Sequence, residues 1–468
     1  MGSTFFGLNV ALSGVLTQQR ALNTVTHNIT NATTPGYTRQ RVDMQAATAY
    51  PMPALNTAVG AGQIGTGVVA IQHTRVRDQF ADVTVRTQSS LTGEWDARTN
   101  ALRSLDRIID EPGDTGITAL LSRFWSSWQG LSTQPDSAAS REAVRASGAL
   151  LAQGIHDLHA SFTAQQTEAD GRIGLETGRV NDLAGQINAV NQRIALVVAT
   201  GQEPNDLRDL RDNLVDELAG YTSITVTSGT SDKLSIAVGG QLLVDGSSDT
   251  VSPFAIDPLG NASVGGVPVT LGSGSLVGHL AIRDQVIGGA GGYLAQLDIL
   301  AGAIANSVNA VHSAGFGTDG STGNDFFAGT TASTIGVSAA VSASVNKIAA
   351  SATATGLPSN ADNAVALAQL QFLVQPIGAT TTNLDGFYQQ FVTRLGTDVD
   401  QANRIAEAQR GVLDAAHARR DAVGGVNIDE ETADMLRFSK SYNAAARMVT
   451  AVDEMLETII SRMGIVGR

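Results

Sequence analysis

The chain has no cysteine among its 468 residues. Disulfide bonds, thiolate metal sites and a cysteine nucleophile are therefore excluded. Aromatic residues are also scarce, at 5% of the sequence, whereas glycine occurs 50 times. This composition favours many turns, and helices that pack closely through small side chains, over a core built on large aromatic anchors.

Positive charge is also in short supply, because 30 basic residues stand against 44 acidic ones, a net charge of −14. Such a chain repels phosphate backbones, so we expect no nucleic-acid partner. No stretch approaches the ~20 apolar residues of a membrane span, so we expect no membrane insertion. The first residues lack the basic run and apolar core of a cleaved signal peptide, so we expect an exported chain to keep its N-terminus.

The N-terminal segment, from Phe5 to Ile29, has the apolar periodicity of an amphipathic helix. Its side chains recur at alternating steps of four and three, which places them on one seam with two polar interruptions. Thr34-Pro35-Gly36 ends the helix, because proline forces its predecessor into an extended conformation and glycine permits the turn. The predicted seam consists of Leu8, Leu12, Val15, Gln19, Leu22, Thr26 and Ile29.

The C-terminal segment carries the most regular pattern in the chain, an unbroken alternation of steps of three and four. It predicts a helix of about 45–50 Å at ~1.5 Å per residue. Two amphipathic terminal helices bury their seams against each other or against neighbouring copies; a helix pair inside one globular core is the alternative. The seam positions are Met435, Phe438, Tyr442, Ala445, Val449, Val452, Leu456, Ile459 and Met463.

The middle of the chain divides into helical and β regions. Residues 75–220 are predicted to be mostly helical, and short alternating runs between Gly, Ser, Asp and Pro predict a small β domain at 221–275. Helix returns near Leu276 and dominates 363–422, whereas 315–360 is irregular. We therefore predict an elongated, mainly α, multi-domain protein with a helical-bundle middle domain and a small inserted β domain.

No motif predicts a catalytic, cofactor or metal site. The run from Gly60 to Gly65 spells GxGxxG, but prolines precede it and β-branched residues follow. Phosphate binding at such a loop requires a strand before it and a helix after it. His156 and His159 could share a helix face, but no third ligand has the spacing of a metal site. We therefore expect no enzymatic activity and no cofactor.

Several segments resemble a known family. The residues from His27 to Gln40, HNITNATTPGYTRQ, are similar to the N-terminal signature of the bacterial flagellar rod, hook and hook-associated proteins. GVNIDEE from Gly425 and FSKSYNA from Phe438 look like the C-terminal motif of one branch, the flagellar hook-associated protein 1 family, and DLRDNLVDEL from Asp209 also fits it. These motifs follow the order of that family over nearly the whole chain.

The resemblance implies a structural subunit at the junction between flagellar hook and filament, needed for filament assembly and motility. It implies extracellular delivery through the flagellar export apparatus, assisted by an export chaperone. The implied partners are further copies in a ring, the hook protein, and a second junction protein on the filament side. The terminal helices are expected to pair as a coiled coil, so that 1–45 plus 428–468 form an assembly domain, 46–220 plus 276–427 a helical bundle, and 221–275 the β insertion.

The expected assembly interface combines the two seams with the turn after the first helix. Arg39 is expected either in an ion pair between subunits or in a solvated loop. The predicted interface residues are Leu8, Leu12, Val15, Leu22, Ile29, Pro35, Gly36, Tyr37, Arg39, Asn427, Phe438, Tyr442, Val449, Val452, Leu456 and Ile459.

Two alternatives remain open from the sequence alone. Another flagellar axial protein, such as a hook, distal rod or second junction protein, would share the N-terminal signature. A surface adhesin would carry its function in the β domain and tolerate loss of the terminal helices.

Overall fold

The structure is a computed structural model that describes residues 5–50, 63–109, 111, 113 and 116–462. It is mainly helical, with strands confined to short hairpins and two small sheets, which confirms the predicted fold class. The α-helices are α1 (Phe6–Asn31), α2 (Gln79–Ile109), α3 (Ile117–Thr133), α4 (Ala138–Ala199), α5 (Asn205–Tyr221), α6 (Ser275–Ala281), α7 (Tyr293–His312), α8 (Ala339–Ala343), α9 (Asp362–Gln369), α10 (Leu384–Gly424) and α11 (Ile428–Arg462).

The strands pair with their sequence neighbours in antiparallel fashion. Hairpins β1–β2, β10–β11 and β12–β13 stand alone, whereas β3–β4–β5–β6 and β7–β8–β9 form the two sheets. The strands are β1 (Gln40–Ala46), β2 (Val68–Arg75), β3 (Thr225–Ser228), β4 (Leu234–Val238), β5 (Gln241–Asp245), β6 (Thr250–Val251), β7 (Phe254–Ile256), β8 (Ala262–Val264), β9 (Val267–Val269), β10 (Phe327–Ala328), β11 (Gly336–Val337), β12 (Gln375–Ile377) and β13 (Thr380–Thr382).

The longest helix, α4, has 62 residues and passes along both hydrophobic cores. Ser137 caps its N-terminus, because its side chain accepts a hydrogen bond from the Ser140 backbone N–H at 3.2 Å. Side chains up to Ala169 lie in the first core, and those from Ile173 onward lie in the second. Helix α5 folds back on α4, which produces a helical hairpin.

The first core lies where α3, the N-terminal half of α4, α7, α9 and the start of α10 meet. Phe124, Trp125 and Trp128 are buried in it on one face of α3. The ring of Phe124 lies 5.7 Å from that of Phe326 and 5.6 Å from that of Phe327, so the segment after α7 closes the core. Helix α7 is long and apolar enough to span a membrane by composition alone, but its apolar face forms part of this core.

The second core joins the C-terminal half of α4 and α5 to the two small sheets. Two asparagines of α4 hydrogen-bond to the backbone N–H and C=O groups of the sheets, as a neighbouring strand would. Asn181 donates to Phe254 O and accepts from Phe254 N, both at 2.8 Å. Asn191 donates to Leu234 O at 2.8 Å and accepts from Leu234 N at 3.1 Å. These paired bonds fix the β insertion on the helix.

The two ends of the chain come together, because α1 packs against α11. Hairpin β1–β2 lies on α1, where Thr17 donates a hydrogen bond to Val68 O at 3.2 Å. A domain boundary at residue 45 would separate two strands that pair from Gln40–Arg75 to Ala46–Val68. The unit built on α1 and α11 therefore also contains β2, which corrects that predicted boundary. We call α1, β1, β2 and α11 the terminal unit.

A buried histidine links three segments of the first core. His312 is fully buried; its Nδ1 lies 2.7 Å from Asn324 O, and its Nε2 lies 3.0 Å from the Ala349 N–H. The ring therefore donates at Nδ1 and accepts at Nε2, which requires neutral imidazole. Burial lowers the pKa of His312 from 6.5 to about 4, against the opposing effect of Asn324.

We predict that acid destabilises the first core through His312. Because the pKa is depressed in the folded state, the stabilisation is complete above the unfolded pKa near 6.5 and is lost as the pH falls towards 4. The free energy of unfolding should fall by roughly 3 kcal/mol across this window. Denaturant unfolding of the parent and of His312→Gln between pH 7.5 and 4 tests this: the variant should lose most of the slope, and equal slopes would contradict the assignment.

Candidate assembly interface

The contact between α1 and α11 is made through small side chains. A Cβ atom placed on Gly7 would lie 3.7 Å from Val452 Cγ2, and one on Gly14 would lie 3.5 Å from Ala445 Cβ. The helices therefore run antiparallel at close approach. Together with buried positions at the same spacing, the face of α1 towards α11 comprises Gly7, Ala11, Gly14, Ala21, Val25 and Asn28, and the half-buried Gln18 has the same spacing.

This face lies one residue before the predicted seam of α1. The difference of ~100° around the helix leaves the leucine stripe beside the contact rather than in it. Leu12 is 46% exposed and its neighbour Leu16 is 51% exposed. The other four predicted apolar positions, which the structure places half-buried, are Leu8, Val15, Leu22 and Ile29.

On α11 the predicted seam does coincide with the least exposed face. Its half-buried members include Phe438, Tyr442, Val449, Val452 and Leu456, whereas Ile459 is 44% exposed. Met463 lies outside the described residues. A second apolar stripe runs beside this seam and includes Met448 and Met455, each 60% exposed. Both terminal helices thus carry an apolar stripe that their mutual contact leaves uncovered.

A buried asparagine fixes the base of the terminal unit. Asn28 is 1% exposed; its Nδ2 donates to Gln40 O and to Glu431 Oε2, both at 2.9 Å. Its Oδ1 accepts from the Tyr37 hydroxyl at 2.7 Å and from the Gln40 N–H at 3.0 Å. One side chain therefore joins α1, the turn, strand β1 and α11. The side chain of Asn28 fulfils all of its hydrogen-bonding capacity, which a buried polar group requires.

The turn after α1 depends on glycine at one position. Gly36 has φ +75°, and a Cβ on it would lie 1.9 Å from Asn213 Oδ1 on α5. Pro35 and Gly36 are exposed, whereas Tyr37 is half-buried with its ring 5.4 Å from that of His27. Burial, followed by the nearby Asp206, raises the pKa of Tyr37, so its hydroxyl stays a donor to Asn28.

Arg39 pairs within its own chain and does not lie in a solvated loop, whereas an ion pair of Arg39 between subunits stays a prediction. Its Nε lies 2.6 Å from Glu431 Oε1 and its Nη1 lies 3.0 Å from Glu430 Oε2. The Glu431 side chain is only 2% exposed, so the arginine neutralises a buried charge. Asn427 is likewise used internally, because its Oδ1 accepts from the Asp429 N–H at 3.0 Å at the start of α11.

An ionic joint connects the terminal unit to the helical body. Carboxylates of α5 at positions 209, 212 and 216 share one helix face and meet arginines from three other elements. Arg75 of β2 lies 2.8 Å from both Asp209 and Asp212. Burial would raise the pKa of Asp212, but Arg77, Arg75 and Arg86 outweigh it and hold the pKa below its usual value. The ion pairs of the joint are Arg75–Asp209, Arg75–Asp212, Arg77–Asp212, Arg77–Asp82, Arg86–Asp212, Arg86–Asp216 and Arg420–Asp216.

The sequence assigned no role to these joint residues. The spacing of the three α5 carboxylates was the available signal, since an acidic stripe on a helix with an apolar opposite face predicts a cationic partner. The partners come from β2, α2 and α10, which are distant in sequence, so only the fold identifies them.

Comparison with known proteins shows to which family the sequence belongs. The family model "Flagellar hook-associated protein FlgK helical domain" matches residues 102–327. "Flagella basal body rod protein" matches 8–38, and "Flagellar basal body rod FlgEFG protein C-terminal" matches 424–462. The chain is 32% identical to flagellar hook-associated protein 1 of Bacillus subtilis (strain 168) over 509 aligned residues that cover 100% of both chains. The chain belongs to the flagellar hook-associated protein 1 family.

Other relatives agree with this family assignment. Flagellar hook-associated protein 1 of Salmonella typhimurium is 30% identical over 68% of this chain and 59% of the relative, so the match spans little more than half of that longer protein. The solved flagellar hook junction protein FlgK from Burkholderia pseudomallei superposes with a TM-score of 0.64 at 15% identity, over 73% of this chain and 100% of the other. That likeness confirms the fold.

Membership in the hook-associated protein 1 family makes the chain a structural protein of the bacterial flagellum. The two rod-type models match the two ends of the chain, 8–38 and 424–462, which are the segments that the structure brings together. The parts that this chain shares with rod proteins thus coincide with α1, its following turn, and α11.

The described residues show little that would support metal binding or catalysis. Among them no group of three or more His, Asp or Glu side chains could hold a metal ion. The predicted turn at Gly60–Gly65 falls largely outside the described residues, and Ile64 forms an isolated bridge with Tyr50. A cleft of about 520 Å³ between α2, α4, α5 and α6 is lined by both polar and apolar side chains and is partly open to solvent.

We predict that Arg39 holds the terminal unit closed. Arg39→Gln leaves the buried Glu431 carboxylate without its cation, which should cost about 2–3 kcal/mol. Hydrogen exchange should then show faster opening of the backbone amides of α1 and of the first turns of α11. The matched control is Arg41→Gln, since Arg41 is mostly exposed and, among the described residues, its one ion pair is with Asp43 at 3.1 Å; its effect should stay below about 0.5 kcal/mol. Equal effects of the two variants would contradict the assigned role.

Proposed function

We propose that the chain is a structural subunit at the junction between flagellar hook and filament, needed for filament assembly and motility. The family assignment supports the flagellar location, and the names of the relatives refer to hook association and to the hook junction. The observation that carries the proposal further is the pair of uncovered apolar stripes on α1 and α11.

These stripes favour polymerisation. A monomeric soluble protein rarely leaves rows of leucine and methionine exposed along two neighbouring helices. On α1 the exposed members are Leu12 and Leu16, and on α11 they are Met448, Met455 and Ile459. The described part of the chain leaves them exposed, and helices of other subunits would cover them. We propose that further copies in a ring, the hook protein below and a second junction protein above supply these helices.

The interface residues taken from the sequence divide into two groups in this proposal. Leu8, Leu12, Val15, Leu22, Ile29 and Ile459 would contact other subunits, because they flank the α1–α11 contact. Val452 and Tyr37 would act inside the subunit, because Val452 faces Gly7 and Tyr37 bonds to Asn28.

The domain organisation follows the same division. The terminal unit would be the assembly domain, made of the N-terminal residues through β2 together with 428–468. The helical body, from α2 to α5 and from α6 to α10, would set its distance from the β insertion at 221–275. The ionic joint between β2, α2, α5 and α10 would transmit load from the assembly domain to the body.

We also propose how the chain leaves the cell and that it carries out no chemistry. The chain would be exported through the flagellar export apparatus with its N-terminus retained, escorted by an export chaperone, and would act outside the cell. It would have no enzymatic activity, and it would need no cofactor, membrane anchor or nucleic acid.

We predict that the combined change Leu12→Asp and Leu16→Asp abolishes filament assembly while leaving the subunit folded. Both side chains are about half exposed, so charge should cost little in the monomer but oppose burial between subunits. Electron microscopy of a strain lacking the native chain should show hooks without filaments when it produces this variant.

Leu175→Asp is the matched control, because Leu175 is 78% exposed and belongs to α4, outside the terminal unit. It should restore normal filaments, as the parent does. The proposal would be wrong if the Leu12 and Leu16 variant also supported normal filaments and swimming.

A further inference from the structure

Beyond the base of the terminal unit, where Asp429 is also exposed and unpaired, the unpaired charges of the described side chains separate by sign along its length. Arg20 on α1, with Lys440 and Arg447 on α11, are exposed and form no ion pair with any described residue. We call these three residues the basic band. Asp453, Glu454 and Glu457 near the end of α11 are also exposed and unpaired within the described chain. We call these three the acidic band.

By the antiparallel register the basic band spans the levels of residues 439 to 447 on α11. Gly7 faces Val452, Gly14 faces Ala445, and Asn28 bonds to Glu431. By the same register Arg20 lies level with Ser439, next to Lys440. The acidic band begins six residues beyond Arg447, so the two bands occupy different heights on the terminal unit.

Two exposed apolar residues near the end of α11 and two on α1 are separated by a fixed distance along the axis. By the register above, Leu16 lies level with Asn443 and Leu12 lies level with Arg447. Met455 and Ile459 each lie twelve residues beyond those two levels. A displacement of twelve residues along the helix axis, about 18 Å, therefore brings Met455 and Ile459 of one copy level with Leu16 and Leu12 of another.

The same displacement brings opposite charges together. Shifted by twelve residues, Asp453, Glu454 and Glu457 reach the levels of residues 441, 442 and 445. These levels lie between Lys440 and Arg447. Without displacement, two parallel copies would place basic band beside basic band and acidic band beside acidic band, which is repulsive. One offset thus satisfies both the apolar and the charged residues.

We propose that the terminal unit docks on a second copy of this chain in parallel orientation, displaced by about 18 Å along the axis, with the acidic band of one copy against the basic band of the next. This contact is heterologous: each copy presents a different surface to each neighbour, so the association continues around a ring or along a helix. The inference rests on the proposed function and adds the register of the contact between copies.

Charge reversal tests the inference in cells that lack the native chain. One variant carries Arg20→Glu, Lys440→Glu and Arg447→Glu, and the other carries Asp453→Lys, Glu454→Lys and Glu457→Lys. Each alone faces like charges at every contact, so the fraction of hooks bearing filaments should fall about tenfold or more. Produced together, the two variants regain opposite charges at every mixed contact, and filaments should return.

The matched control reverses three exposed cations of the helical body, with Arg103→Glu, Arg123→Glu and Arg193→Glu. It makes the same change in net charge as the first variant and should leave filaments normal. The inference is overturned if either triple variant alone supports normal filaments, or if joint production of the two fails to restore them. These results leave the proposed function standing, since that depends on the separate outcome for Leu12 and Leu16.

Discussion

The close approach of α1 and α11 is the constraint on which the rest of the terminal unit depends. Gly7 and Gly14 bring the backbone of α1 near Val452 and Ala445, so the two helices hold each other through a narrow stripe of small side chains. Dispersion contacts across such a stripe require the backbones to be near, and they bury little of the larger apolar surface beside it. The leucines of α1 and the methionines of α11 are therefore left for other molecules. A pairing through leucine would have buried these side chains within the unit and removed the surface that we propose for polymerisation.

Hydrogen bonds and ion pairs fix the register of α1 against α11, because small side chains alone would let the two helices slide along each other. Asn28 satisfies four hydrogen bonds in a site almost without solvent, and any shift along α1 would leave several of them unmade at a cost of about 1–3 kcal/mol for each buried group. Arg39 adds a charge pair on the buried Glu431. The ionic joint continues this rigid base into α5 and α10. The terminal unit and the helical body are thus coupled by directional bonds, while the proposed contacts between subunits use the apolar stripes and exposed charges.

Much of this architecture could be predicted from the sequence, and what could not has a physical reason. The helices, the β insertion and the irregular segment after α7 follow from periodicity and turn residues, and the terminal helices were expected to meet. The seam of α1 was placed one residue away, because hydrophobic periodicity weights leucine and valine and passes over Gly7, Ala11 and Gly14, whose value lies in close approach. Arg39 was expected either in an ion pair between subunits or in a solvated loop, because sequence cannot show that Glu431, 392 positions later, lies against it. The β1–β2 pairing crosses a stretch of irregular sequence and was missed for the same reason. That the exposed leucines of α1 contact other subunits remains a prediction.

Disulfide cross-linking measures the central claim most directly, since the chain has no cysteine of its own. Cysteines at positions 14 and 445 would have Cβ atoms about 3.5 Å apart, within the range that a disulfide requires. The double variant Gly14→Cys with Ala445→Cys should oxidise rapidly to an intramolecular bond in dilute monomer, whereas Val15→Cys with Ala445→Cys should react far more slowly. If the Val15 pair closed faster than the Gly14 pair, the leucine stripe would form the contact between the terminal helices, and pairing through small side chains would be contradicted.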